Sequence, residues 1–341
     1  LREALADLPP EPSALRCRVT VALASEEYYT APFAARAELV AQARAMADEL
    51  TDPDLVVDVA QVGVAALWTA STATERAEWA AESARLAREL GRDRDVVISA
   101  TLQAVALGEA GRPLEMREVI AQARVDADRL RLAYAQLVLD GLEIPWLAMA
   151  GRFEECAAVL DRMRRLERTV SLPQSEVAIL GAELVLTVWT GHAADVVDVL
   201  VAMEETDPLP LTAVTAALLC RAGRVDDARE HLRRYSVDLD HDDWFSMLAW
   251  CNAAEAALHV GDRALAAGAL ARIAPFPGYS CSAGSGNASG PVDHYIACAH
   301  AALGDLDAAR VHADHAEELC EQWQIPLAAQ RLRDQREHFG Y

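Results

Sequence analysis

The sequence predicts an all-α protein, a right-handed α-solenoid of about eight helical hairpins with a period near 40. Three observations predict it. The stretch Gly151-Arg152-Phe153-Glu154-Glu155-Cys156-Ala157 recurs in altered form along the chain. Apolar or small residues follow its glycine at Phe153, Cys156, Leu160 and Met163, steps of three and four that share one helix face. No segment alternates apolar and polar residues for long, so no strands are expected.

The recurrences are Gly111-Arg112-Pro113, Gly191-His192-Ala193, Gly223-Arg224-Val225, Gly261-Asp262-Arg263 and Gly304-Asp305-Leu306. Glycine suits a tight turn between helices because it takes positive φ without a Cβ clash. Five residues after these glycines stand Met116, Cys156, Val196, Ala228, Ala266 and Ala309, each small or apolar as a close helix crossing requires. Counting back by 40 from Gly111 gives Ser71 and then Ala31, where Thr72-Ala73-Thr74-Glu75 and Pro32-Phe33-Ala34-Ala35 also read as breaks before amphipathic helices. A period of this length describes stacked hairpins, none of which buries its apolar face alone.

Taken in order, the chain opens at Leu1-Arg2-Glu3-Ala4-Leu5 in what reads as mid-helix, without Met, so a longer protein is expected upstream. Leu8-Pro9-Pro10 breaks that helix. From 13 to 272 first and second helices alternate. The turns Thr51-Asp52-Pro53-Asp54, Gly91-Arg92-Asp93, Ser171-Leu172-Pro173 and Asp207-Pro208-Leu209-Pro210 supply caps and an early Pro to the helix that follows. Pro145 falls inside a helix and should kink it. The pattern stops at Pro275 and resumes at Val292. The intervening Gly/Ser/Pro-rich segment reads as a flexible connector or a partner-facing loop. The expected organisation is a repeat region over 1–272, an insertion loop over 273–291, and a last helical repeat over 292–341.

Composition excludes several chemistries. Lys and Arg together number 31, and all are Arg, so neither a phosphate-loop lysine nor a Schiff-base lysine exists. A net charge of −22 disfavours a phosphate backbone as partner, and no direct nucleic-acid contact is expected. No apolar run reaches the roughly 18 to 20 residues of a membrane span, and no signal peptide is expected. The seven cysteines lack any CxxC pair, which suggests reduced thiols and a cytoplasmic location.

No catalytic group, cofactor or metal emerges from the motifs. Gly284-Ser285-Gly286-Asn287-Ala288-Ser289-Gly290 lacks the preceding strand and the Lys that phosphate loops need. Asp238-Leu239-Asp240-His241-Asp242-Asp243 lacks the central Gly and closing Glu of a calcium loop, and reads as a solvated loop capping the next helix. His312 and His315 lie one turn apart without a third ligand, and are taken as polar-face histidines. Glu154-Glu155 and Asp226-Asp227 sit where carboxylates favour a helix N-terminus. Trp68, Trp146 and Trp189 fall near the ends of first helices. In stacked hairpins these line the concave face, which makes the three the candidate ligand- or partner-binding residues. Trp250 is expected to be buried.

The Gly-Arg-Phe-Glu-Glu-Cys-Ala and Gly-Asp-Leu-Asp-Ala-Ala stretches resemble the inter-helix turn of tetratricopeptide repeats, although that family keeps a period of 34. With Gly290-Pro291-Val292-Asp293-His294-Tyr295 running into Ala301-Ala302-Leu303-Gly304-Asp305-Leu306, the chain resembles the helical-repeat C-terminal regions of large actinobacterial ATPase regulators of the antibiotic-regulatory (SARP) and LuxR types. The resemblance implies a non-enzymatic sensor and protein-interaction module of a multidomain transcriptional regulator. Its partners would be an effector, another protein, or its own ATPase and DNA-binding domains. Two other readings stay open: a free-standing scaffold joining protein partners, and an all-α enzyme using Asp238 to Asp243 with magnesium.

Overall fold

The structure is a computed structural model and describes residues 1–170, 175–204 and 210–341. The turns expected at Ser171-Leu172-Pro173 and Asp207-Pro208-Leu209 lie outside the described residues. The chain is helical almost throughout, and its helices gather into two units, Leu1–Leu107 with Leu114–Leu139, and Gly108–Pro113 with Asp140–Tyr341.

The first unit is built on α1 (Arg2–Asp7), α2 (Ala14–Glu26), α3 (Phe33–Leu50), α4 (Pro53–Ala66), α5 (Ala73–Glu89), α6 (Asp93–Glu109) and α7 (Pro113–Leu130). Asp52 caps α4, its carboxylate accepting from the amides of Asp54 and Leu55, and Pro53 takes the first helical position. Cys17, Val21, Val40, Leu55, Val59 and Trp79 form the core of α2 to α5. The Trp79 ring lies so close to Gly63 that a Cβ there would meet it at 2.4 Å. Small residues are what let these helices approach. Ser71 falls in a short 3-10 turn, Ala70–Thr72, directly before α5.

Helix α8 (Ala133–Met149) is divided at Asp140, its start belonging to the first unit and the rest to the second, which continues through α9 (Phe153–Thr169), α10 (Ser175–Trp189), α11 (Ala193–Glu204), α12 (Thr212–Arg221), α13 (Val225–Arg234), α14 (Ser246–Val260) and α15 (Arg263–Ile273). The second unit ends on α16 (Val292–Leu303), α17 (Leu306–Trp323) and α18 (Pro326–Phe339). Helix α8 continues through Pro145. Gly111, Gly151, Gly191, Gly223, Gly261 and Gly304 all hold φ between 71° and 89°. Met116, Cys156, Val196, Ala228, Ala266 and Ala309 are all buried.

The expectation of no strands is wrong at one place. β1 (Ser280–Ala283) and β2 (Asn287–Pro291) form an antiparallel pair, with Ser282 opposite Ala288 and Ala283 opposite Asn287. Nor is the segment a loose connector. All four residues of β1 are buried. The Ser280 hydroxyl donates to the carbonyl of Gly108 at 2.7 Å, and the Gly278 amide donates to Asp293 Oδ2 at 2.6 Å. Cover on both faces removes the alternation by which a half-buried strand is recognised.

Candidate functional site

The three tryptophans occupy three different settings. Trp68 lies in the first unit just past the end of α4, not within it. Its carbonyl accepts from the Tyr28 hydroxyl at 2.6 Å, and the Arg76 guanidinium stands 5.7 Å from its ring. Trp146, in the second unit, is 3% exposed and packs edge-to-face on Trp323, with ring centroids 5.7 Å apart. Trp189 is half-buried and lines a cavity of about 210 Å³ within the second unit.

That cavity follows from the composition of α10. The segment Val177-Ala178-Ile179-Leu180-Gly181-Ala182 is apolar around most of its circumference, yet much of the helix is only half-buried. Leu184, Val185 and Val188 face the cavity from α10, Val196 and Leu200 from α11, and Leu218 from α12. Phe245 and Leu248 close the side towards α14, and Asn287, Ala288 and Ser289 of β2 close another. The exposed Val177 and Leu180 stand at its mouth.

One end of the cavity is charged. Arg221, the last residue of α12, lines it and binds Glu255 of α14 through Nε at 2.9 Å and through Nη2. Asn252 Oδ1 is 3.4 Å from the same Nη2. Glu255 is 1% exposed. Burial opposes its charge, but the charge and hydrogen bonds of Arg221, joined by the charge of Arg331, hold its carboxyl well below the usual carboxylate range. Arg331 of α18 stacks 4.8 Å above the Trp189 ring and donates through Nη2 to the Ser289 carbonyl at 2.6 Å and the Tyr295 hydroxyl at 2.9 Å. Its Nε is buried and meets no acceptor among the described residues.

Behind this end lies a neutral hydrogen-bonded layer. Gln335 Oε1 accepts from His294 Nε2 at 2.5 Å and from the Cys298 thiol at 3.1 Å, while its amide group faces His259 Nε2 at 3.3 Å. Burial, and then the charge of Arg331, pushes His294 down to about 4, so the ring is neutral at pH 7. Burial raises the Cys298 and Cys251 thiols and the Tyr295 phenol far above their ordinary values. The ionised groups at this end are therefore two guanidiniums and one carboxylate.

The chain was compared with known protein families and with curated proteins, and neither a family model nor a curated protein matches it.

The remaining sequence candidates have structural partners. In the acidic loop, Asp243 accepts from the Phe245 amide at 2.8 Å and meets His241 at 2.8 Å, while Asp238 accepts from the Asp240 amide. Trp250 is buried and donates to the Leu239 carbonyl. Glu155 pairs with Arg152, Asp227 with Arg224 and Asp226 with Arg229. His312 and His315 both direct Nδ1 at Asp293 Oδ1, at 2.9 and 3.0 Å. Arg221, Glu255, Asn252 and Arg331 were not singled out by sequence reasoning. The available signal was a lone charge in an apolar helix, as in Ala216-Ala217-Leu218-Leu219-Cys220-Arg221 and Ala253-Ala254-Glu255-Ala256-Ala257.

Proposed function

We propose that this chain is the sensing and protein-interaction module of a larger transcriptional regulator, a right-handed α-solenoid of about eight tetratricopeptide-like hairpins. Effector binding in the second unit favours one arrangement of the helices, and that arrangement changes the hold on a switch domain or partner. The observation that carries this reading is the cavity against α10, an apolar site with a small number of convergent polar groups at one end. The glycines of positive φ and the buried small residues five positions on support the repeat architecture. Among the described residues no helix is long and apolar enough to cross a membrane, and all seven cysteines are free thiols, which supports a cytoplasmic setting.

An antibody raised against the chain tests the reading by the mass of the native product. A band of roughly 100 kDa, several domains' worth of chain, is expected. A band at 36.9 kDa would remove the regulator and leave the second reading, a free-standing scaffold joining two proteins.

A further inference from the structure

We propose that the cavity of the second unit takes a small organic anion, an alkyl or aryl carboxylate, with its apolar body along α10 and its carboxylate towards Arg221, the one guanidinium among the lining residues. This rests on the reading of that cavity as an effector site and adds the chemical class of the effector.

Size sets the first limit. The space of about 210 Å³ exceeds the roughly 150 Å³ in which an apolar cavity accommodates benzene. It falls below the roughly 300 Å³ at which drug-sized pockets begin. A body on the order of ten non-hydrogen atoms fits, which excludes a peptide helix or a nucleotide. Chemistry of the walls sets the second limit. Leu184, Val185, Val188, Leu200 and Leu218 offer no hydrogen bond from their side chains, so the body is hydrocarbon.

Charge sets the third. Arg221 gives Nε and Nη2 to Glu255, and its Nη1 meets no acceptor among the described residues. Arg331 meets no carboxylate within ion-pair distance among the described residues, and its Nε lies buried without an acceptor. Arg331 does not line the cavity but stands against Trp189 and Ser289, which do, so around this end one carboxylate answers two guanidiniums. A hydrocarbon ligand leaves Arg221 Nη1 unanswered, and a cation adds to the excess. A neutral amide supplies an acceptor without the charge. A carboxylate supplies both, and its planar pair of oxygens matches the guanidinium edge.

The experiment is isothermal titration of the purified chain at pH 7 with hexanoate, octanoate and phenylacetate, each against its own amide, and with sodium sulfate alone. Two controls accompany it: Val188→Phe, which fills the cavity, and the double variant Arg221→Met with Glu255→Met, which removes the nearest free donor and its partner together. At least one carboxylate is expected to bind about tenfold or more tighter than its amide, the step that a charge-assisted hydrogen bond supplies. Sulfate, lacking the body, is expected to give no heat. Val188→Phe should abolish binding while the chain keeps its helical circular dichroism, and Leu184→Phe reads the same loss if Val188→Phe fails to fold. The double variant should lose most of the preference for carboxylate over amide. Equal affinity for amide and carboxylate would overturn the anionic class. Absence of binding by all three carboxylates, or binding undiminished in a folded cavity-filling variant, would overturn the site. Those failures leave the regulator reading to be judged by the mass of the native product.

Discussion

The carbonyl oxygen of Gly278 occupies the space in which a side chain on Gly111 would begin, 1.9 Å from the ideal Cβ position. Gly111 also holds φ at 71°, so it is constrained twice. Gly223 shares the conformation, at 76°, but has nothing within 4 Å of its Cβ position. Gly223→Ala should therefore lose only the cost of a left-handed residue, about 1–2 kcal/mol. Gly111→Ala should lose about 2 kcal/mol more, because backbone must move to admit the methyl. Urea denaturation of the two variants checks this. Equal losses would show that the Gly278 turn does not pack against Gly111.

Those two glycines also mark what was legible in the sequence. Every landmark glycine is a local event, a helix end that needs positive φ, and local events leave local signatures. The same holds for Asp52 with Pro53 at the start of α4. The hairpin of β1 and β2 was not legible, because what orders it is remote. Ser280 bonds Gly108, 172 positions earlier, and Arg331 holds the Ser289 carbonyl from 42 positions later. Nothing in Gly284-Ser285-Gly286 announces either bond. The candidate site divides in the same way. Trp189 stood out as a large aromatic near a helix end, whereas the pairing of Arg221 with Glu255 joins two helices across 34 positions. Trp146 shows the reverse: the same local signature as Trp189, but Trp323 arrives to cover it.

Acidification should destabilise the second unit in a window that His294 defines. In the unfolded chain a histidine titrates near 6.5, whereas the folded ring titrates at about 4. Between these values the unfolded state binds the extra proton, so stability rises with pH there and is lost as pH falls from 6.5 towards 4. The contribution at full extent is about 3 kcal/mol. Below about 4.5 the depressed Glu255 carboxyl continues the loss in the same direction. Neutralising surface carboxylates relieves the self-repulsion of a chain at −22 and acts the other way. Comparison with His294→Gln isolates the buried ring. The thermal midpoint of the variant should fall less steeply between pH 6.5 and 4.5, and parallel profiles would deny the ring its role.

The seven thiols should be silent in the native protein. All seven are buried, and burial pushes Cys17 and Cys156 up to about 11 and Cys220 and Cys320 up to about 12. Reaction with a disulfide reagent requires access as well as thiolate, and burial denies that access to all seven. In native buffer less than one thiol per chain is expected to react at mixing, and all seven after addition of guanidinium chloride. Rapid reaction of one or more thiols in buffer would show that a helix pair opens readily around it.

The ion pair at the end of the cavity should be worth more intact or absent than halved. Arg221 and Glu255 are 13% and 1% exposed at their side chains, so removing one partner leaves a charge stranded in an apolar interior. Arg221→Met is expected to cost about 3–5 kcal/mol, since the Glu255 carboxylate must then be buried alone or take up a proton. Arg331 lies near enough to lower that carboxyl, and should hold the cost towards the smaller figure. Adding Glu255→Met to Arg221→Met removes the stranded charge and puts an apolar side chain in place of each member of the pair. The double variant should recover most of the loss and approach the stability of the parent chain. A cycle of the two single variants and the double, followed by urea denaturation, measures the coupling directly. Additive losses would mean that the two side chains act independently, and would leave the charge balance at this end of the cavity without a structural basis.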